Sequence, residues 1–253
     1  MTAWTGFSSL LLGLPLGALL GAAGSLTGIG GGFLLMPALL WLYPDRPAGS
    51  LAVVSLTVVF FNALSGTVLS LRRETVHVRT GLVYGILSLP LVWWGSRLQA
   101  LADRRLFDIT FGALLVGGAA LLAFKTSPRR SSAGRAAWLI GAAASLAIGL
   151  VSGFFGVGGG FLFVPLLAYG LRYAVPEATA TSQLIVGLGA AWGLTLAALS
   201  HPLPVDPMLL GGLVAGVLVG APLGTAAAER WPGPVVLRIL AGLLVVAGVK
   251  FLI

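Results

Sequence analysis

Long apolar segments without charge constrain the fold of this chain more than any other feature of its sequence. Segments that lack a charged residue or histidine cover 1–44, 47–71, 80–96, 109–124, 136–171, 178–200, 207–228 and 239–249. A helix of about 20 residues crosses the hydrocarbon core of a bilayer, so most of these segments match one membrane span each. With only 9% charged residues, the chain cannot cover the surface of a soluble domain.

The apolar segments are continuous, whereas the strands of a transmembrane barrel alternate between apolar and polar residues. They therefore predict an all-α polytopic membrane protein embedded in the lipid bilayer. The chain has no cysteine, which excludes a disulfide scaffold and a Cys-ligated metal site; we expect no cofactor, no metal site and no enzymatic activity. The net charge of +8 lies on predicted loops, where it suits anionic lipid headgroups and not nucleic acid.

Two of the segments are too long for one span, and both contain the same glycine motif. At about 1.5 Å per residue, 1–44 would form about 66 Å of helix and 136–171 about 54 Å. Each must therefore break or turn back. Gly28–Leu34 reads GIGGGFL and Gly156–Leu162 reads GVGGGFL. Because glycine weakens a helix, we place a break at each motif.

Similarity between the two halves extends beyond the glycine motif. Ser55, for example, matches Ser182 at an offset of 182 − 55 = 127 residues. We therefore predict two homologous transmembrane repeats, 1–124 and 136–253, joined by a linker at 125–135. Each repeat contains a glycine-broken helix pair followed by three spans, which gives eight to ten segments in all.

The arginines and lysines of the short loops indicate the orientation in the cell membrane. The linker 125–135 and the loop 72–79 are rich in them, so both are expected on the cytoplasmic side. If each glycine-broken segment crosses twice, the repeats have five segments and are inverted; if it crosses once, they have four and are parallel. The loop 200–206, which lacks Lys and Arg, favours inverted repeats, whereas the arginines of 97–105 would then lie outside.

Non-helical backbone at membrane depth must be buried in protein or face a watery cavity. A helix that starts there offers free N–H groups and a partial positive charge, which suit an anion. Hydroxyl and amide side chains near the breaks add further donors. The candidate binding residues are Ser25, Thr27, Gly28, Gly30, Gly31, Gly32, Ser55, Asn62, Ser152, Gly156, Gly158, Gly159, Gly160, Thr181, Ser182 and Gln183. The alternative is that the glycines allow close helix packing and the hydroxyls bond their own helices.

The duplicated Gly-x-Gly-Gly-Gly-Phe motif, with Pro37 and Pro165 downstream, resembles the TauE/SafE sulfite exporter family. The resemblance covers nearly the whole chain. It implies a permease that moves sulfite, sulfoacetate, thiosulfate or a related sulfur-containing anion, often outward. The first half has Leu56-Thr57 after Ser55, where the second half has Thr181-Ser182-Gln183, so the two halves of the site need not be equivalent.

We therefore predict a secondary transporter, and an exporter, of a small sulfur-containing anion that works by alternating access. An anion channel is the main alternative. An intramembrane hydrolase is a third, in which Ser152 would need a base within hydrogen-bond reach.

Overall fold

The computed structural model describes residues 6–28, 30–124, 134–200, 206–231 and 233–252. Within these ranges the chain is helical and forms no strand. The helices of the first half are α1 (Gly6–Thr27), α2 (Gly32–Leu42), α3 (Ala48–Arg72), α4 (Val78–Leu101) and α5 (Arg104–Phe124). Those of the second half are α6 (Arg135–Phe155), α7 (Gly160–Pro165), α8 (Val175–Ser200), α9 (Pro207–Arg230) and α10 (Gly233–Leu252), with a π-helix at Leu166–Gly170 after α7.

Five helices of the described residues are long and apolar enough to cross a membrane: α1, α3, α6, α8 and α9. The predicted all-helical chain with several membrane spans is thus confirmed. The segments after the glycine motifs, Gly32–Leu42 and Gly160–Gly170, are apolar but short. Eleven helical residues measure about 16 Å, which is too short to cross the hydrocarbon core.

Contacts near the loops define the two ends of the helix bundle. The Arg104 side chain donates to the Leu40 carbonyl at 2.8 Å, so the end of α2 lies beside the start of α5. We call this end, with the loops 43–47 and 102–103, the Arg104 end. His77, which precedes α4, stacks on Tyr173, which precedes α8, with ring centroids 3.9 Å apart. We call this opposite end the His77 end.

The first glycine-broken pair enters and leaves the bundle at the Arg104 end. In α1, Gly17 packs against Leu213 and Gly21 against Val217, so α1 runs parallel to α9. Because α8 starts at the His77 end and crosses the bundle, α9 starts at the Arg104 end, and α1 does so as well. The short helix α2 then returns to that end.

The second glycine-broken pair enters from the opposite end. In α6, Gly149 packs against Ser88 and Gly153 against Val92, so α6 runs parallel to α4 and starts at the His77 end. After the break, α7 and the π-helix return to the same end. The two pairs are thus hairpins that reach into the bundle from opposite sides.

Helices at equivalent positions in the two halves run antiparallel. Gly66 of α3 packs against Gln183, near the start of α8, and Gly193, near the end of α8, packs against Leu56. The same relation holds for α5 and α10. These directions agree with the inverted arrangement and not with the parallel one. That the two halves are homologous repeats stays a prediction, and residues 125–133 of the predicted linker lie outside the described residues.

Candidate functional site

The two glycine motifs adopt the same unusual backbone. Positive φ angles occur at Gly28 (75°), Gly30 (86°), Gly31 (80°), Gly156 (65°), Gly158 (79°) and Gly159 (69°). Residues with a Cβ rarely adopt these angles, which explains why glycine recurs at the three matching positions of each motif. Gly31 and Gly159 directly precede the first residues of α2 and α7, so each break ends where a new helix begins.

The two breaks meet at the centre of the bundle, on either side of one pair of valines. A methyl group placed on Gly30 would lie 3.0 Å from Val186 and 3.1 Å from Val59. One placed on Gly158 would lie 2.8 Å from Val59 and 3.0 Å from Val186. Both valines are fully buried at the middle of the α3–α8 crossing. The prediction that the breaks converge thus agrees with the geometry.

One serine side chain joins the two breaks directly. The Ser182 hydroxyl donates to the carbonyl oxygen of Gly28 at 2.9 Å and lies 3.4 Å from that of Gly160. Its counterpart in the first half, Ser55, is also fully buried, but its hydroxyl has no hydrogen-bond partner among the described residues. A methyl group on Gly32 would lie 3.2 Å from this hydroxyl, which places it beside the start of α2.

A buried polar cluster lies against the first break. The Ser25 hydroxyl donates to Asn62 Oδ1 at 2.9 Å, and Gln183 Nε2 donates to the Ser25 carbonyl at 3.0 Å. Asn62 Nδ2 and Gln183 Oε1 have no partner among the described residues, although both side chains are buried. Leaving such a group unpaired costs about 1–3 kcal/mol. The cluster therefore holds unused hydrogen-bonding capacity.

The unpaired nitrogen of Asn62 points into the first break. A methyl group on Gly24 would lie 2.7 Å from Asn62 Nδ2, and one on Gly31 would lie 3.9 Å from it. Because α2 begins immediately after Gly31, this donor lies next to the first N–H groups of that helix, which have no acceptor within it.

Other predicted site residues are already hydrogen-bonded within the protein. The Thr27 hydroxyl donates to the Ala23 carbonyl at 2.8 Å, which fits the alternative that hydroxyls bond their own helix. The Gly30 N–H donates to the Gly24 carbonyl at 3.3 Å. The Thr181 hydroxyl accepts the N–H of His77 at 3.0 Å.

In the second break, Gly156 ends α6 through a bond from its N–H to the Ser152 carbonyl at 2.9 Å. Ser152 is buried, and its Cβ would lie 3.0 Å from a methyl group on Gly159. The structure therefore groups the predicted residues of both halves around the breaks, except that the Thr181 hydroxyl faces His77 at the end of the bundle. Their role in binding stays a prediction.

Sequence reasoning missed the residues that depend on tertiary contacts. Val59 and Val186 carry no polar signal that distinguishes them from other apolar residues of a span. Gln99 of α4 was also missed, because it lies near the predicted end of that span. Its Nε2 is buried without a partner among the described residues and would lie 4.0 Å from a methyl group on Gly156.

Comparison with known proteins agrees with these observations. The family model "Sulfite exporter TauE/SafE" matches residues 13–251, almost the whole chain. The protein belongs to the TauE/SafE sulfite exporter family. This TauE/SafE protein is 32% identical to a "Probable membrane transporter protein" of Xylella fastidiosa, with 88% of this chain and 86% of the relative covered. No solved structure gives a significant match.

Two further relatives match most of this TauE/SafE protein. It is 26% identical to "Probable membrane transporter protein YunE" of Bacillus subtilis, over 96% of this chain and 97% of the relative. It is 30% identical to "Probable membrane transporter protein MJ0441" of Methanocaldococcus jannaschii, over 74% and 73%. The family and the names of these relatives indicate a membrane transporter, and the five apolar helices indicate a multi-pass membrane protein.

The polar groups of this candidate site are hydroxyls, amides and backbone groups. Such groups can bind an anion by hydrogen bonds without a fixed positive charge. The described residues contain no group of three or more His, Cys, Asp or Glu that could hold a metal ion.

Proposed function

We propose that this TauE/SafE protein is a secondary transporter that exports a small sulfur-containing anion, such as sulfite or an organosulfonate, by alternating access. One observation carries the proposal: Ser182 joins the two glycine breaks, and the unpaired donors Ser55 Oγ and Asn62 Nδ2 lie beside the first break.

The chemistry of these donors favours an oxyanion. The N-terminus of α2 carries a partial positive charge, and Ser55 Oγ and Asn62 Nδ2 lie beside it. A sulfite or sulfonate group has three oxygen acceptors on one sulfur, so it could accept from several donors at once. Hydrogen bonds hold the anion less firmly than a buried cation would, which allows its release. The second break adjoins this site at Val157, whose carbonyl oxygen would lie 3.0 Å from a methyl group on Gly32.

The geometry also suits alternating access. The glycine-broken pairs reach the centre from opposite ends, and the site residues between them are buried, so the structure is a closed state. Rocking of the half 1–124 against the half 136–253 would open the site to one end and then to the other. The Ser182 hydrogen bonds to Gly28 and Gly160 join the two breaks, and this motion would have to break one of them.

We propose that the His77 end faces the cytoplasm. This end carries six arginines that lie at or next to helix termini: Arg72, Arg73, Arg79, Arg135, Arg172 and Arg230. At the opposite end, Arg104 does not act as a free charge, because its Nε lies 3.0 Å from both Asp108 carboxylate oxygens. By the positive-inside rule, Arg104 therefore argues less strongly against this orientation than the sequence alone suggests.

The hydrolase alternative gains no support from the site. Ser152 lies beside Gly153, which packs against Val92 of α4. Fifteen residues of α4, or about 22 Å, separate Val92 from His77. This histidine lies 3.4 Å from Glu177 at the His77 end and is too far away to act as a base for Ser152.

Flux measurements in proteoliposomes test the proposed function. Uptake of sulfite, sulfate, thiosulfate and sulfoacetate is compared in the wild type and in Asn62→Leu, which keeps the size of the side chain but removes the Nδ2 donor together with the Oδ1 acceptor of the Ser25 hydroxyl. We expect saturable flux of at least one sulfur anion, stimulated by the same anion on the far side, and its loss in Asn62→Leu.

The matched control is Thr195→Val on α8, since the Thr195 hydroxyl bonds the Ala191 carbonyl of its own helix at 2.9 Å. It should keep wild-type flux. Ohmic single-channel currents would contradict a carrier, and unchanged flux in Asn62→Leu would contradict the site.

A further inference from the structure

Gln99 lies between the second glycine break and the Arg104 end. We propose that Gln99 forms a second binding site for the transported oxyanion, an inference that rests on the proposed function. The anion would occupy this site as it passes between the central site and the Arg104 end. The site is distinct from the Asn62 donor of the first break.

The first observation is an unused donor beside a glycine. Gln99 Nε2 is buried without a hydrogen-bond partner among the described residues. It would lie 4.0 Å from a methyl group on Gly156, whose φ of 65° only glycine adopts readily. Because Ala52 Cβ would lie only 2.6 Å from the same methyl group, a ligand would reach the amide and not the Gly156 backbone. Because burial of an unpaired amide is unfavourable, a bound oxyanion would satisfy it.

The second observation is a pair of cavities that Gln99 shares. A cavity of about 400 Å³ lies beside the loops of the Arg104 end, and a smaller one of about 100 Å³ lies deeper along α4 and α8. Gly49, Gln99 and Ala100 line both. Since one water molecule occupies about 30 Å³, the larger cavity can hold a small oxyanion with several waters. Gln99 thus borders both cavities and also lies near Gly156.

The charges along this path include one cation that can turn toward an anion. Arg97 lines the smaller cavity, and its guanidinium lies 5.3 Å from the ring centroid of Trp93. The larger cavity is lined by Arg46 and Arg104 but also by acidic residues, Asp45 and Asp103. Arg104 is bound to Asp108 and to backbone carbonyls. In the smaller cavity, which Gln99 lines, Arg97 is the charged side chain that an anion would meet.

The third observation is that only one end of the protein has this amide. Gly95 of α4 packs against the Leu150 carbonyl, and Gly224 of α9 packs against the Ala22 carbonyl in the same way. The offset of 224 − 95 = 129 places Ala228 at the position equivalent to Gln99. Alanine cannot donate from its side chain, so the second site belongs to the Arg104 end alone.

The test compares Gln99→Met, which keeps the length of the side chain but removes its donors, with the wild type. We expect Gln99→Met to raise KM for sulfite flux about tenfold, as the loss of a hydrogen bond to an anion would do. The control is Ser96→Ala in the same cavity, because the Ser96 hydroxyl is already bonded to the Trp93 carbonyl at 2.8 Å. It should leave KM unchanged.

A second measurement does not depend on transport. The chain has no cysteine, so Gln99→Cys would carry the only thiol. An anionic methanethiosulfonate reagent should label it from the Arg104 end only, and Arg97→Ala added to that variant should slow the labelling several-fold. Labelling from the His77 end, or a rate indifferent to Arg97, would overturn the proposed path.

The outcomes separate the two proposals. If Asn62→Leu abolishes flux while Gln99→Met keeps the wild-type KM, the second site is wrong and the proposed function stands. If the wild type carries none of the four sulfur anions but Gln99→Cys is labelled as expected, position 99 is accessible from the Arg104 end, and the proposed function fails.

Discussion

The hydroxyl of Ser182 donates a hydrogen bond of 2.9 Å to the carbonyl oxygen of Gly28 and so ties a helix of the second half to the glycine break of the first. The same hydroxyl lies 3.4 Å from the Gly160 carbonyl in its own half. Ser55 occupies the equivalent position on α3 but has no partner among the described residues. Two matching serines thus have different roles, one in holding the breaks together and one with a free donor.

Replacing these serines should separate stability from binding. Ser182→Ala loses the bonds to both breaks and should lower the free energy of unfolding by about 1 kcal/mol. Ser55→Ala loses no internal hydrogen bond, so its stability should be equal to or above that of the wild type, whereas its KM for anion flux should rise. Thermal unfolding in detergent and flux in proteoliposomes measure the two effects. Equal stability losses in both variants would contradict the assigned roles.

Glycines with positive φ should be far more sensitive than helical ones. Gly31→Ala and Gly159→Ala force a Cβ into the left-handed region, which costs roughly 1–2 kcal/mol each, and should reduce flux as the start of the following helix shifts. Gly117→Ala is the control, since this helical glycine of α5 has open space around it and alanine favours a helix. It should stabilise the protein slightly. A Gly31→Ala variant as stable as Gly117→Ala would show that the break tolerates another backbone conformation.

Close packing of α1 on α9 should depend on Gly17. A methyl group on Gly17 would collide with the backbone of Leu213, which cannot move without shifting the helix. Gly17→Ala should therefore destabilise the protein by about 1–3 kcal/mol. Gly211→Ala on α9 is the control, because nothing lies within 4 Å of the added methyl group. The unfolding temperatures of the two variants should differ clearly. Equal unfolding temperatures would contradict this contact between α1 and α9.

The fold was predictable where one physical rule acts locally. Helix α1 ends at Thr27, as the glycine motif predicts, because residues with a Cβ rarely adopt the positive φ angles that follow. By contrast, the π-helix at Leu166–Gly170 has an ordinary apolar sequence and could not be distinguished from an α-helix. The different partners of Ser55 and Ser182, and the unpaired nitrogen of Gln99, depend on how distant helices approach one another. A single sequence does not encode these distances in any readable pattern.

Arg104 should stabilise the Arg104 end as a hydrogen-bond donor and not simply as a charge. Its guanidinium donates to the Leu40 carbonyl at the end of α2 and to Asp108. Arg104→Met should lower the unfolding temperature by a few degrees, since these acceptors lose their donor. Arg104→Lys should not restore it, because an ammonium group cannot match the fork of five donors. Arg105→Met, at the exposed neighbouring position, is the control and should be neutral.

The orientation of the two ends can be tested with single cysteines, because the chain has none of its own. Leu101→Cys lies at the Arg104 end, where the native side chain is 84% exposed, and Glu74→Cys lies in the exposed loop of the His77 end. If the His77 end is cytoplasmic, a membrane-impermeant maleimide should label Leu101→Cys in intact cells and Glu74→Cys only after permeabilisation. The reverse pattern would overturn the orientation but keep the arrangement of helices. Labelling of both in intact cells would contradict the arrangement itself, because α4 connects the two positions across the membrane.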